Sequence, residues 1–324
     1  MRVGFVYNVR RTPSEVLDED EAEYDDPGAI DAIRAAIASH GHEVVDFEAD
    51  GTLPAALAGS SIDVAFNIAE SRGARGREAH VPALLELLGI PYTGSDAVTL
   101  GITLDKSLAS ALVRAAGAPT PRGLVMRSAA DQLPFEPGYP VVVKPVHEGS
   151  SKGITSESVV FDEEALRERV GAVVARYRQP ALCEEYVAGR EITVGVLGEP
   201  PRVLPPMEVV FLGEERHPLY SFEVKRRFEE LVRYEIPADL TAAELAAVEA
   251  SSLAAFEALG CRDVARIDFR LDASGMPWFL ECNPLPGLAP GVGDLTFIAE
   301  AAGISFESLI GEILEGGLRR RHEQ

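Results

Sequence analysis

Short apolar runs alternate with stretches of helical periodicity from the first residues onward. An apolar strand is predicted over 3–7. Asp26 and Pro27 then supply an N-cap and a first helical position, and Ile30, Ile33 and Ile37 recur at helical spacing as far as Gly41. Further strands are expected over 43–47 and 62–66, with a helix over 78–88 stopped by Gly89. Residues 1–94 therefore read as an open α/β unit. A second unit, 95–185, carries a helix over 105–116, a strand over 139–144, a loop rich in Gly and Ser, and a helix over 162–178. The third, 186–324, has strands over 191–197 and 203–211, a long helix over 241–259, a strand pair over 264–271 and 277–283, and terminal helices. Residues 213–236 are charged and lack clear periodicity, which predicts a mobile loop or broken strand of the length that lids use.

Composition narrows the class without naming it. A chain of 324 residues is too long for one ordinary core, and 46% hydrophobic residues place it among globular proteins. No apolar run is long enough to span a bilayer, and the first residues lack the apolar core of a secretory signal. Three cysteines, an odd count without metal-type spacing, indicate neither a disulfide framework nor a zinc site. A cytoplasmic protein without a membrane partner is the expectation. The net charge of −22 argues against binding nucleic acid, which needs clustered Lys and Arg, but allows a small anionic ligand where basic residues gather. The acidic run 15–26 reads most simply as a solvated loop; its alternative is a gate for a cationic or amine-rich substrate.

Two stretches carry candidate chemistry. In 264–271 and 277–283, alternation puts Arg266, Asp268 and Arg270 on one face, and Phe279, Glu281 and Asn283 on one face of the partner strand. Leu280 and Cys282 then oppose them, Cys282 as a small buried hydrophobe. A hairpin at Gly275 would let Asp268, Glu281 and Asn283 converge as hard oxygen donors suited to Mg²⁺, with Arg266 beside them for a phosphoryl group. The same pattern also fits an ordinary amphipathic strand pair. In PVVVKPVHEGSSKGI, Lys144 ends a buried strand and small residues follow at once, so that backbone N–H groups could approach phosphate oxygens. It is not a Walker A sequence, and taken alone it reads equally as a flexible connection. His147 and His217 lie in loops, where they read first as solvated and, as the alternative, as aids to substrate binding.

Together these segments resemble the ATP-grasp superfamily, and within it the D-alanine–D-alanine ligase branch. The resemblance runs from about Phe66 to Leu314 through LLELLGIPYTGSDAVTLGITLDK, PVVVKPVHEGSSKGI, EEYVAGREITVGVLG, SFEVK, ARIDFRLD and LECNPLPGL, in the family's order and spacing. It implies an α/β protein with a Rossmann-like first domain and two α+β subdomains clasping ATP. It implies a ligase that activates a carboxylate as an acyl phosphate and joins it to an amine, with ATP and Mg²⁺ (or Mn²⁺) and small-molecule carboxylate and amine substrates. A homodimer is implied as well.

Residue by residue, Lys106 and Lys144 resemble the two lysines that touch nucleotide phosphates, and Ser150, Ser151 and Gly153 the loop that covers them. Glu184, Tyr186 and Val187 match the adenine hinge, Glu191 the ribose carboxylate, and Lys225 a phosphate-contacting lysine on the mobile loop. Asp268, Glu281 and Asn283 fall on the metal ligands, Arg266 on the arginine that stabilises the acyl phosphate, and Gly287 on a backbone donor at the oxyanion position. Departures cluster on the amino-acid side. No residue of 7–26 matches the Glu that holds the first substrate's amino group. Arg226 stands where the family has Tyr, Val292 where it has Ser, and Asn67-Ile-Ala-Glu70-Ser-Arg-Gly replaces its His-Gly segment. Ligase chemistry on substrates other than two D-alanines is the expectation; the alternatives are a genuine D-alanine–D-alanine ligase of cell-wall synthesis, an ATP-grasp phosphotransferase and, ranked last, a nucleotide-binding protein without catalysis.

Overall fold

The computed structural model describes residues 1–12, 19, 21–73, 75–135 and 137–321, and in them three sheets follow one another along the chain. The first is parallel, with β1 (Arg2–Tyr7) between β2 (Glu43–Glu48) and β3 (Val64–Asn67). The second holds β4 (Gly123–Met126), β5 (Val141–Pro145), β6 (Val159–Val160) and β7 (Ala181–Glu185) in the order β4-β7-β5-β6. The third is formed by β8 (Arg190–Leu197), β9 (Arg202–Val203), β10 (Met207–Phe211), β11 (Val232–Glu235), β12 (Val264–Leu271) and β13 (Pro277–Asn283). Its main path runs β11-β10-β8-β12-β13, with β9 on β8.

Packing ties the first sheet to the third. Val3 and Phe5 of β1 share a core with Ile30, Ile33 and Ile37 of the helix Pro27–Ser39 and with Leu309, Ile310 and Ile313 of the last helix, Phe306–Arg320. That core continues into Leu197, Met207 and Val264 of the third sheet. Buried Asp263 completes the joint, accepting from Gly94 N at 2.7 Å and from Arg320 at 2.9 Å. On its other face the third sheet packs on the helix Ala242–Ala258, whose Thr241 and Glu244 form a capping box. The second sheet keeps its own core with the helix Glu163–Tyr177.

Several expected elements are corrected. The helix expected over 78–88 opens as the 3₁₀ turn Arg77–Ala79 and continues as His80–Leu87. A helix at Ala97–Leu104 was not expected, because AVTLGITL is apolar all round; Asp96 starts it by accepting from Thr99 N. Asp105 then caps the next helix, Lys106–Ala115. The strand expected over 203–211 splits into β9 and β10, since Pro205 and Pro206 bring no N–H to a ladder. Residues 213–236 are not simply a loop: Phe222–Arg226 and Phe228–Leu231 are helical, and β11 pairs with β10.

The β12–β13 pair also differs in one detail that matters. Asp268 lies opposite Glu281, but Phe269 lies opposite Phe279, so Leu280 is an inserted bulge residue. Alternation had placed Phe279 with Glu281. The bulge instead turns Phe279 into the core against Phe269, ring centroids 6.2 Å apart, and brings Leu280 to the cavity beside Glu281. Cys282 keeps its expected place in the core, 3.7 Å from Cys261.

Candidate active site

Two adjoining cavities lie against the third sheet, the smaller facing the second sheet and the larger the N-terminal unit, and both are lined by Tyr220, Lys225 and Glu281. The smaller is walled by Val142, Ile154, Tyr186, Val187 and Leu280, with Lys144, Glu184 and Glu191 among them. Lys144 is carried there by β5 and stands 2.6 Å from Glu184 of the adjacent β7. Burial works against its charge, yet Glu184 holds its pKa above the ordinary lysine value. Glu191 of β8 lies opposite Arg270 of β12 in register and pairs with it at 2.7 Å. Tyr186 donates through its hydroxyl to the Pro218 carbonyl at 3.2 Å, and Arg270 donates to the same oxygen at 2.6 Å, which ties residues 213–236 to the wall.

The Gly/Ser loop after β5 has the backbone of a ligand clamp. Ser150 and Ser151 have φ of 48° and 56°, a left-handed conformation that side-chain-bearing residues seldom hold without a compensating role. At Gly153 (φ 74°) a Cβ would collide with Pro145 and Tyr177, so glycine is required. Ser151 Oγ donates to the Tyr220 carbonyl at 2.7 Å, joining this loop to the 213–236 stretch. Ser150 lines the larger cavity.

That larger cavity, about 330 Å³, is charged and polarised. At one end stand Lys106, Lys225, Arg266, Glu281, Asn283 and Gly287. The β12–β13 register sets Arg266 opposite Asn283 and Asp268 opposite Glu281, as the alternation of the two strands predicts. Arg266 binds both oxygens of Asp268, at 3.1 and 3.0 Å, and lies 3.3 Å from Asp294. Lys106 Nζ is 3.3 Å from Glu281 and also bonds the Glu148 carbonyl. Burial alone would raise the Glu281 carboxyl, but Lys106, Lys225, Arg266 and Lys144 together hold it far below the usual carboxylate range. Asn283 Nδ2 lies 3.4 Å from Asp268. Two carboxylates and an amide side chain thus converge where cationic charge is concentrated, and with the amide turned to present its oxygen the donor set fits Mg²⁺.

The other end corrects the reading of the acidic run. Residues 15–18 and 20 lie outside the described residues, but Glu23 is not in solvent. Its side chain is 6% exposed and accepts from Arg77 at 2.8 and 3.0 Å, from Lys152 at 2.9 Å and from Gly149 N at 2.8 Å. Tyr24 and Asp25 line the cavity beside Glu70 and Glu78. Sequence reasoning also missed Asp294, Tyr220 and Tyr234. The two tyrosine hydroxyls are 2.6 Å apart, Tyr220 reaches Asp294 at 3.4 Å, and Tyr234 stacks on Phe228. Aromatics spaced through the charged 213–236 stretch were the available signal. The histidines are corrected too: His217 packs on Tyr186 and Phe161, and His147 lies 3.7 Å from Asp105. Val292 is exposed at the cavity rim, and the Arg226 guanidinium lies over the Phe222 ring.

Two sheets closing on a lysine-lined cleft, with a bent Gly/Ser loop on one side and an Arg–carboxylate–amide cluster on the other, define an ATP-grasp enzyme. A family model described as D-ala D-ala ligase C-terminus matches residues 123–315. The chain is 39% identical over 302 residues to an uncharacterised protein, y4sG, of Sinorhizobium fredii, covering 90% of this chain and 87% of that one. It is 35% identical over 294 residues to a D-alanine–D-alanine ligase of Ectopseudomonas mendocina, covering 90% and 89%. The crystal structure of D-alanine–D-alanine ligase from Bacillus anthracis complexed with ATP superposes with a TM-score of 0.76 at 26% identity, covering 100% of this chain and 99% of that one. The chain belongs to the D-alanine–D-alanine ligase family, ADP-forming ATP-grasp enzymes that make a carbon–nitrogen bond. Among the described residues no helix is long and apolar enough to cross a membrane.

Proposed function

We propose that this enzyme activates a small carboxylate as an acyl phosphate and joins it to an amine, on substrates other than two D-alanines. The observation that carries the reading is the meeting of the two cavities at Lys225 and Glu281, beside Arg266. A nucleotide in the smaller cavity would direct its γ-phosphoryl group to that point, with Lys144 and Lys106 on the phosphates, Ser150, Ser151 and Gly153 covering them, and Glu184, Tyr186, Val187 and Glu191 holding the nucleoside.

A carboxylate oxygen attacks the γ-phosphorus and ADP leaves. The acyl phosphate now has phosphate as a leaving group, where the free carboxylate had none. A neutral amine attacks the acyl carbon, the C–N bond forms, phosphate departs and one proton is released. Arg266 and Lys225 offset negative charge on the transferring group, and the backbone N–H of Gly287 suits the developing oxyanion. Asp268, Glu281 and Asn283 would hold Mg²⁺ or Mn²⁺, which neutralises phosphate charge when bound. The 213–236 stretch, anchored through Ser151, Tyr186 and Arg270, would keep water from the acyl phosphate.

Substrates other than two D-alanines are supported by where the departures fall: Glu70, Val292 and the acidic residues before Pro27 all line the larger cavity or lead into it. The test is ADP release from Mg-ATP against D- and L-amino acids, singly and in pairs, with mass spectrometry of the product. Release that needs two amino acids and yields a ligated product is expected. Release with one carboxylate alone and a stable phosphorylated product would make the enzyme a kinase. Turnover of D-alanine pairs at the rate of a cell-wall ligase would overturn the substrate reading.

A further inference from the structure

The acidic end of the larger cavity carries more negative charge than a neutral amino acid would match. Oxygens of Glu23, Glu70 and Glu78 all lie within 4.8 Å of one another. Glu23 is already committed: its two oxygens take four hydrogen bonds, from Arg77, Lys152 and Gly149. Glu70 and Glu78 are committed only to each other, through a hydrogen bond between their carboxyls. Glu78 is only 8% exposed, both line the cavity, and among the described residues no Lys, Arg or His forms an ion pair with either. No backbone or side-chain N–H of those residues donates to them. Arg77, the nearest cation in sequence, spends its hydrogen bonds on Glu23 and the His147 carbonyl.

The electrostatic consequence agrees. Burial, against the pull of Arg77, pushes Glu78 up to about 7, and burial with Asp26 does the same to Asp25. Glu70 is raised well above its usual value by burial and by the Glu78 and Glu23 carboxylates. Buried carboxylates with no cation paired to them are a standing cost that a cationic ligand can relieve. With Glu23 saturated, a metal ion would find only two carboxylates without a cation in this three-glutamate cluster, fewer hard donors than the Asp268, Glu281 and Asn283 set provides. An alkylammonium needs only two or three acceptors. Lys225 and Arg266 at the far end suit a carboxylate, so the cavity as a whole suits a molecule anionic at one end and cationic at the other.

We propose that Glu70 and Glu78 form a subsite for a second cationic group on the amino acid whose carboxylate is activated, making that substrate a diamino acid. The inference rests on the ligase reading for the fate of the carboxylate, but the subsite can be tested without it. The probes are 2,3-diaminopropionate, 2,4-diaminobutyrate and ornithine, each paired with its isostere lacking the ammonium: 2-aminobutyrate, norvaline and norleucine, in both enantiomers. Hydroxylamine traps an acyl phosphate as a hydroxamate, so activation is read without knowing the second substrate. Calorimetric binding to the full-length enzyme with Mg²⁺ and a non-hydrolysable ATP analogue is read in parallel. One diamino acid is expected to exceed its isostere by about 100-fold in kcat/KM or affinity, a ratio that falls to within about three-fold in the Glu70→Gln/Glu78→Gln variant. Carboxamides remove like-charge repulsion, so the variant should fold, which its thermal midpoint checks. Preference for the isosteres, an unchanged ratio in the variant, or no calorimetric binding by any diamino acid overturns the inference. Glu70- and Glu78-dependent binding with neither hydroxamate nor ADP would leave the subsite standing and refute the ligase reading. Hydroxamate from neutral amino acids alone would do the reverse.

Discussion

Replacing Glu23 by Gln should release the loop that follows β5. Glu23, Arg77 and Lys152 have side chains 6%, 6% and 8% exposed, so the knot is screened little by solvent. A Gln retains one carbonyl oxygen, enough for the Gly149 N–H and one Arg77 N–H. It loses the oxygen facing Lys152 and turns an amide N–H₂ towards that ammonium. Breaking a buried pair outright costs about 3–5 kcal/mol. Lys152 keeps Glu148 at 3.2 Å and Arg77 keeps Glu148 at 3.8 Å, so the loss should be nearer to about 2–3 kcal/mol. Because Gly149 donates straight to Glu23, the loss should be felt locally. Amide hydrogen exchange of a peptide covering 146–154 should then accelerate by about 30- to 100-fold, since 1.4 kcal/mol is a factor of ten. The apparent KM for ATP should rise with it. A double-mutant cycle with Lys152→Met should return a coupling of at least about 1 kcal/mol. Exchange altered by less than about three-fold, with no coupling, would refute the reasoning and return this part of the acidic run to solvent.

Three further outcomes follow from the same geometry. Arg266→Lys keeps a charge but cannot bind both oxygens of Asp268 and reach Asp294 at once, so ADP release should fall by about 100-fold or more while affinity for an ATP analogue stays within a few-fold, measured by coupled assay and calorimetry. Asp268→Asn should raise the Mg²⁺ concentration for half-maximal turnover by at least about ten-fold, and a chelator should abolish turnover in the native enzyme until Mg²⁺ or Mn²⁺ is restored. Glu78 gives a pH dependence of stability. Its folded pKa of about 7 lies above the ordinary glutamate value of 4.5, so the folded state binds the proton more tightly. Stability from this group is therefore complete below pH 4.5 and is lost as pH rises through 7. Glu78→Gln should unfold at a higher temperature than the native chain at pH 8 and not at pH 5; equal midpoints at pH 8 would show that the carboxyl is not held in its neutral form.

The parts of this site that could be read in the sequence are those built from residues close together along it. Asp268, Glu281 and Asn283 lie on two strands joined by a short turn, so alternation alone brings them to one face. Even there the bulge at Leu280 escaped, because an inserted residue leaves the apolar pattern of PWFLECN unchanged and only the partner strand exposes it. Lys144 and the glycines and serines after it were legible for the same reason. The substrate end is assembled differently. Glu23 finds Arg77 54 residues away and Lys152 129 residues away, and nothing in the run EDEAEYDD separates the one saturated glutamate from its neighbours. Tyr220 meets Tyr234 and Asp294 only because β11 turns back on β10 and the helix Asp294–Ala301 begins beneath them. Phosphoryl transfer needs charges at spacings that a strand or a tight loop can fix by itself, and such motifs persist in order along the chain. On the function proposed, choice of substrate falls to side chains that the fold gathers from three separate segments, each free to vary so long as the cavity closes. A ligase of this family can therefore declare its chemistry in its motifs and leave its substrate to be read from the charge of the cavity.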